Sequence, residues 1–160
     1  MYQEEEGFPR PHATVMYHGS PRQLSVLEAR PSGLLNEESV IYGTNRLDIA
    51  VFMAAHVSDA HIEFGSVNGR LYALEKYEGA FEKLKKQGYV YVVSANTFFS
   101  DDRLGLKHHE FVSYKKSMGI QKRFLVLDIR EFLEHDEDSK INMITWGAMI
   151  ESIEPLFVKK

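Results

Sequence analysis

No cysteine occurs anywhere in the 160 residues. Disulfides, thiolate zinc sites and a cysteine nucleophile are therefore excluded, and the composition fits a reducing compartment. Long hydrophobic runs are missing too. The longest purely apolar stretch, Ile49 to Ala55, is far shorter than the ~20 residues that a bilayer-spanning helix needs. The N-terminal "MYQEEEGFPRPH" is acidic and lacks an apolar core, so the expectation is no signal peptide, no membrane contact and a cytoplasmic protein. Positive charge is not in excess either. The formal net charge is −4, which gives no electrostatic case for wrapping a nucleic-acid backbone. Two basic clusters, Lys83 with Lys85 and Lys86, and Lys115 with Lys116, Lys122 and Arg123, read as solvated faces of a helix and a strand.

Several chemical signatures are absent as well. Neither "GxxxxGK[ST]" nor "GxGxxG" is found, so no phosphate-cradling loop of either kind is indicated. No "GxSxG" supports a nucleophile elbow. His108 and His109 precede Glu110, and on a strand alternate residues share a face, so His108 and Glu110 could point the same way. No "HExxH" or comparable spacing accompanies them, and no metal site is expected.

What is present is the composition of a globular domain, with 44% hydrophobic and 26% charged residues. Residues 1–12, with Gly7, Pro9 and Pro11, read as a lead-in, and residues 13–160 as one domain. "ATVMYHG" reads as a first strand. The Pro/Ser/Gly-rich segment after it is loop-like, with a short strand or helical turn near Leu24 to Leu27. "VIYGT" is a brief strand, after which Thr44 or Asn45 can cap a helix over about Arg46 to His56. Asp48 sits in its first turn, where the macrodipole favours an anion. That helix is apolar on nearly all sides and should be buried. "RLYALEKY", "GYVYVVSA", "EFVSYKK" and "KRFLVLDI" read as strands, "GAFEKLKKQ" as a short helix or turn, "NTFFSDDRLGLKHH" as a loop, and "REFLEHDED" as a short helix. The final "INMITWGAMIESIEPLFVKK" fits a helix or a strand pair. Strands outnumber helices without βα alternation, which predicts an α+β fold.

Three short stretches carry possible chemistry: "MYHGS" at a strand end, "VIYGTNRLDIAVFMA" as strand then helix, and "KHHEFVSYK" as loop then strand. In this order they resemble the His-Tyr-Glu branch of the ADP-ribosyltransferase superfamily, shared by diphtheria-type toxins and poly(ADP-ribose) polymerases. The likeness spans about residues 14 to 116. It implies a split fold of two small, mainly antiparallel sheets packed with short helices. It also implies NAD as co-substrate and transfer of a single ADP-ribose to an acceptor that the sequence does not identify. Glu110 would be the catalytic carboxylate. A fixed anion there suits the positive charge that develops on the ribose as the nicotinamide bond breaks. His18 would hold the adenosine-side ribose, Gly19 would meet the nicotinamide amide through its backbone, and Ser20 is a candidate polar contact. Tyr42 would stack on nicotinamide.

The sequence departs from the pattern in places. Ala50 stands where the polymerases carry a serine, and Met53 where they carry a second aromatic, with Phe52 adjacent to close the sandwich. His108 occupies the position at which arginine-specific transferases place Glu or Gln, so arginine modification is not indicated. Two alternatives share the fold: an inactive NAD- or ADP-ribose-binding module, and an RNA 2′-phosphotransferase. A structural or interaction protein remains the other class.

Overall fold

The computed structural model describes residues 14–106 and 108–158; the expected lead-in, residues 1–12, lies outside them. In chain order the strands and helices are β1 (Val15–Ser20), β2 (Val26–Glu28), β3 (Arg30–Ser32), β4 (Glu38–Thr44), α1 (Leu47–Ala54), β5 (Ile62–Val67), β6 (Arg70–Glu75), β7 (Gly88–Ser94), β8 (Phe98–Phe99), β9 (Glu110–Ser113), β10 (Ser117–Gly119), β11 (Lys122–Val126), α2 (Ile129–His135), β12 (Ile141–Ile144) and α3 (Trp146–Val158). The class is α+β with mostly antiparallel pairing. No described helix is long and apolar enough to cross a membrane.

A seven-stranded sheet organises the molecule, in the order β11-β7-β1-β4-β9-β8 with β3 attached to β4. β1 and β4 lie in its middle, and next to β1 runs the Val- and Tyr-rich β7, whose residues Val90 to Val93 are all buried. A three-stranded sheet, β12-β6-β5, packs beside it, and β10 pairs with β2. The β5–β6 hairpin was not legible as such, because "IEFGSV" alternates poorly. Its turn is nevertheless a sequence signal: Asn68 and Gly69 sit at φ of 51° and 78°, the left-handed pair that a tight hairpin turn requires. The C-terminal stretch is one strand followed by one helix rather than a strand pair. β12 joins β6 in parallel, and α3 follows directly.

The buried helix α1 packs on the main sheet, with Ile49, Ala50, Val51, Phe52 and Ala54 inside. The expected caps do not cap it. Its N-cap is Arg46, with no side-chain cap bond. Thr44 Oγ1 instead accepts from the Arg46 N–H at 3.1 Å, and Asn45 turns away to the His108–His109 loop. Asp48 does more than complement the dipole. Its fully buried carboxylate accepts from the Arg46 guanidinium at 3.0 and 2.5 Å, from the Ile49 N–H at 2.9 Å and from the Lys140 N–H at 2.7 Å.

Helix and sheet approach closely at Gly19. A Cβ there would lie 1.9 Å from the Ala50 carbonyl oxygen and 2.8 Å from the Ala54 nitrogen. Only glycine lets β1 and α1 meet at this distance. On the opposite face of the sheet, Met16, Ile41, Tyr91, Phe98 and Phe111 form a second core cluster.

Candidate functional site

The main sheet is not continuous in its middle. β1 is matched to β7 at every position from Val15 to Ser20, but to β4 only at Tyr17↔Thr44. Beyond that pair the two strands part. The gap opens into a cleft of about 630 Å³ lined by His18, Gly19 and Ser20 on one side and by Val40, Ile41 and Tyr42 on the other. Pro21, Arg22, Arg30 and Met53 complete much of its wall.

The His18 ring reaches across the gap, and Nδ1 lies 2.7 Å from the Tyr42 carbonyl oxygen. A carbonyl only accepts, so Nδ1 carries the proton. Burial, reinforced by the positive charge of Arg30, outweighs this bond and lowers the His18 pKa below its usual 6.5. The ring is therefore neutral at pH 7, with Nε2 an acceptor suited to a hydroxyl donor. Ser20 Oγ accepts from the Arg22 N–H at 3.1 Å and shapes the turn after β1. The Tyr42 hydroxyl is hydrogen-bonded to Ser32 Oγ, which fixes the ring against Leu35, Val40, Leu104 and Val112.

Glu110 opens β9 and lies opposite Thr44. Tyr17, Thr44 and Glu110 thus form one row across three neighbouring strands. Residues in such a row project to one face, and so does Tyr42, two positions from Thr44. His18, next to Tyr17 in sequence, projects to the other face, where its ring lies 6.5 Å from that of Tyr91. The structure therefore gathers His18, Gly19, Ser20 and Tyr42 at one cleft. Glu110 stands on the adjoining strand and is not among the cleft's lining residues. Its Oε1 accepts from the Leu106 N–H at 2.8 Å. Burial raises its pKa above the ordinary 4.5, partly opposed by that bond. The loop before it is pinned by Asn45, whose Nδ2 donates to the His108 carbonyl at 3.1 Å and whose Oδ1 lies 3.2 Å from His109 Nδ1.

Phe52 is placed elsewhere. It is stacked on Phe64, ring centroids 4.4 Å apart, within the core beneath α1. The helix instead presents Met53, 39% exposed, to the cleft. Gly19 also owes its identity to something other than a ligand, since the Ala50 carbonyl already forbids a side chain there.

Sequence reasoning missed the cleft's charge. Arg22, Arg30 and Lys85 line it with a single carboxylate, Glu28, in a chain whose net charge is negative. Lys85 is exposed, as a solvated face requires, yet it belongs to the cleft rim. Arg22, two residues beyond "HGS", was the one available signal. Among the described residues no three His, Asp or Glu side chains converge as a metal-binding group.

The chain matches no family model, no curated protein and no solved structure.

Proposed function

We propose that the chain is an NAD-binding domain of the ADP-ribosyltransferase type, with the cleft between β1 and β4 as the dinucleotide site. The carrying observation is that the main sheet parts at His18-Gly19-Ser20 and Tyr42, and that cations outnumber acids in the opening. The residues fit the ligand. A neutral His18 accepts from a ribose hydroxyl, the aromatic Tyr42 and apolar Met53 suit a flat heterocycle, and Arg22, Arg30 and Lys85 suit a diphosphate. In the reaction the nicotinamide–ribose C1′–N bond breaks and nicotinamide leaves with the electron pair. An acceptor O–H or N–H then bonds C1′ and loses its proton. The cationic ribose falls to Glu110, which stands on the strand adjoining the cleft, and whose carboxylate must ionise and turn from the Leu106 N–H toward the opening. Because burial raises its pKa, activity rises with pH as the carboxyl loses its proton.

Incubation with NAD labelled in the adenylate, together with a cell lysate, tests this reading. Free nicotinamide and labelled product are expected, both reduced about 10²–10³-fold in Glu110→Gln, the range for removing one electrostatic stabiliser. Absence of both products, or an indifferent Glu110→Gln, removes catalysis.

A second reading, a binding module without turnover, draws on the Glu110 carboxylate already held by Leu106 N–H and on the buried Ala50. Calorimetry separates the two, since a module binds NAD or ADP-ribose and releases no nicotinamide. The cationic lining also keeps the RNA 2′-phosphotransferase alternative open to test. Its mark would be affinity for 2′-phosphorylated RNA that falls steeply with salt.

A further inference from the structure

Among the described residues the main sheet ends at β11, and this edge is poorly guarded. Exposed edges are usually blunted by charged side chains, proline or a covering element, and on β11 Lys122 and Arg123 charge only the start of the strand. Here Phe124, Leu125 and Leu127 are 42%, 49% and 63% exposed within four positions. On the α1 side an apolar groove of about 450 Å³ runs along the strand, lined by Leu47, Val51, Phe124, Val126 and Phe132.

The strand also carries a charge gradient. Lys122 and Arg123 begin it, and Asp128 and Glu131 lie just past its end, where the intervening Arg130 is paired with Glu134. An antiparallel pairing of two identical strands lays each basic start against the other's acidic end, and does so twice by symmetry. With Leu125 on the two-fold axis, Phe124 faces the second copy's Val126, and Lys122 comes level with its Asp128, which lies two residues past the strand and caps α2. Opposite-charge pairs of this kind stabilise cross-strand contact, and like charges oppose it. We infer that β11 pairs antiparallel with β11 of a second copy, joining two main sheets into one across a two-fold axis. The gradient is what selects a second copy as occupant, because an uncharged strand would leave both ends unmatched. This inference is independent of the NAD reading.

Sedimentation velocity of the full chain over two decades of concentration tests it. A reversible monomer–dimer equilibrium is expected. Leu125→Lys sets like charges face to face on the axis and raises the dissociation constant by at least about tenfold. Lys122→Glu raises it by about threefold or more, and Lys115→Glu, exposed but off the strand, leaves it unchanged. Far-ultraviolet circular dichroism establishes that each variant folds. Leu127→Lys, more exposed still, replaces Leu125→Lys if the latter does not fold. A monomer at every concentration overturns the inference, whether the edge is then covered by residues 1–13 or reserved for a different protein. A dimer indifferent to both Leu125→Lys and Lys122→Glu overturns it equally.

Discussion

The two edges of β1 are built differently. Toward β7 it is matched from Val15 to Ser20 without interruption; toward β4 it is matched at Tyr17 alone. On the matched side the backbone is saturated and the face above it is sealed by α1, close enough at Gly19 to exclude a methyl group. On the parted side a single side chain, His18, crosses to the neighbouring strand. The lesson is that one strand serves as frame on one edge and as wall of a cleft on the other. The frame holds through backbone bonds and packing, both insensitive to pH. The cleft is spanned by one titratable ring, and its lining mixes apolar side chains with the cations Arg22, Arg30 and Lys85.

The contrast can be broken from the frame side first. Gly19→Ala drives a Cβ into backbone that cannot yield, and should cost about 3 kcal/mol or more in urea unfolding. A loss under 1 kcal/mol would mean that α1 is not held rigidly on β1. Asp48→Ala leaves the Arg46 guanidinium and the Lys140 N–H without their buried acceptor. It should cost about 3 kcal/mol, near the lower end for breaking a buried ion pair. Thermal melts should show this loss even though Asp48 does not line the cleft.

Cleft-side changes should be milder in stability and larger in binding. His18→Gln gives up the neutral ring, at about 1 kcal/mol for the bond to Tyr42, and weakens NAD binding. Its sharper signature is in the pH dependence. The folded-state pKa of His18 lies below 6.5, so the unfolded chain takes up the proton first as pH falls. The contribution is complete above pH 6.5 and is lost progressively on acidification below it. His109 acts in the same direction. Glu110, with its pKa raised above 4.5, acts oppositely: its contribution is greatest in acid and is lost as pH rises through its folded value. Unfolding free energy measured from pH 7 to pH 5 should therefore decline less steeply in His18→Gln than in the parent. Equal slopes would show that His18 is not the ring that is neutral in the fold. Smallest in stability is Met53→Ala, at a half-exposed position and within about 0.5 kcal/mol. It should nonetheless lower NAD affinity measurably, whereas Phe52→Leu, in the Phe64 stack, should disturb stability more than binding.

Local chemistry made much of this legible in advance. β-branched and aromatic density marked β7, apolar residues on every side marked α1 as buried, and "MYHGS" and "VIYGT" marked the two strand ends that line the cleft. These signals are local because each residue's own preference or spacing carries them. The N-terminus of α1 was misread because Thr44 and Asn45 have the right chemistry for a cap but found other partners, the Arg46 N–H and the His108–His109 loop. The C-terminal stretch stayed ambiguous for a similar reason. The buried Glu75 carboxylate accepts from the Phe81 N–H at 2.7 Å and from the Trp146 N–H at 2.8 Å. That second bond reaches the start of α3 from 71 residues away.

By itself, the sequence determined an α+β class, a buried central helix, a chain without disulfides, and the candidates His18, Gly19, Ser20, Tyr42 and Glu110. Tertiary structure alone decided which of these share a cleft. With only one matched pair between β1 and β4, the strands part, so that His18, Gly19, Ser20 and Tyr42 border one opening. They do so although His18 and Tyr42 emerge on opposite faces, while Glu110 on β9 stays outside the lining. The cationic lining was likewise beyond local reading. Arg22, Arg30 and Lys85 are scattered along the chain, and only the parting of two strands brings their charges to one opening.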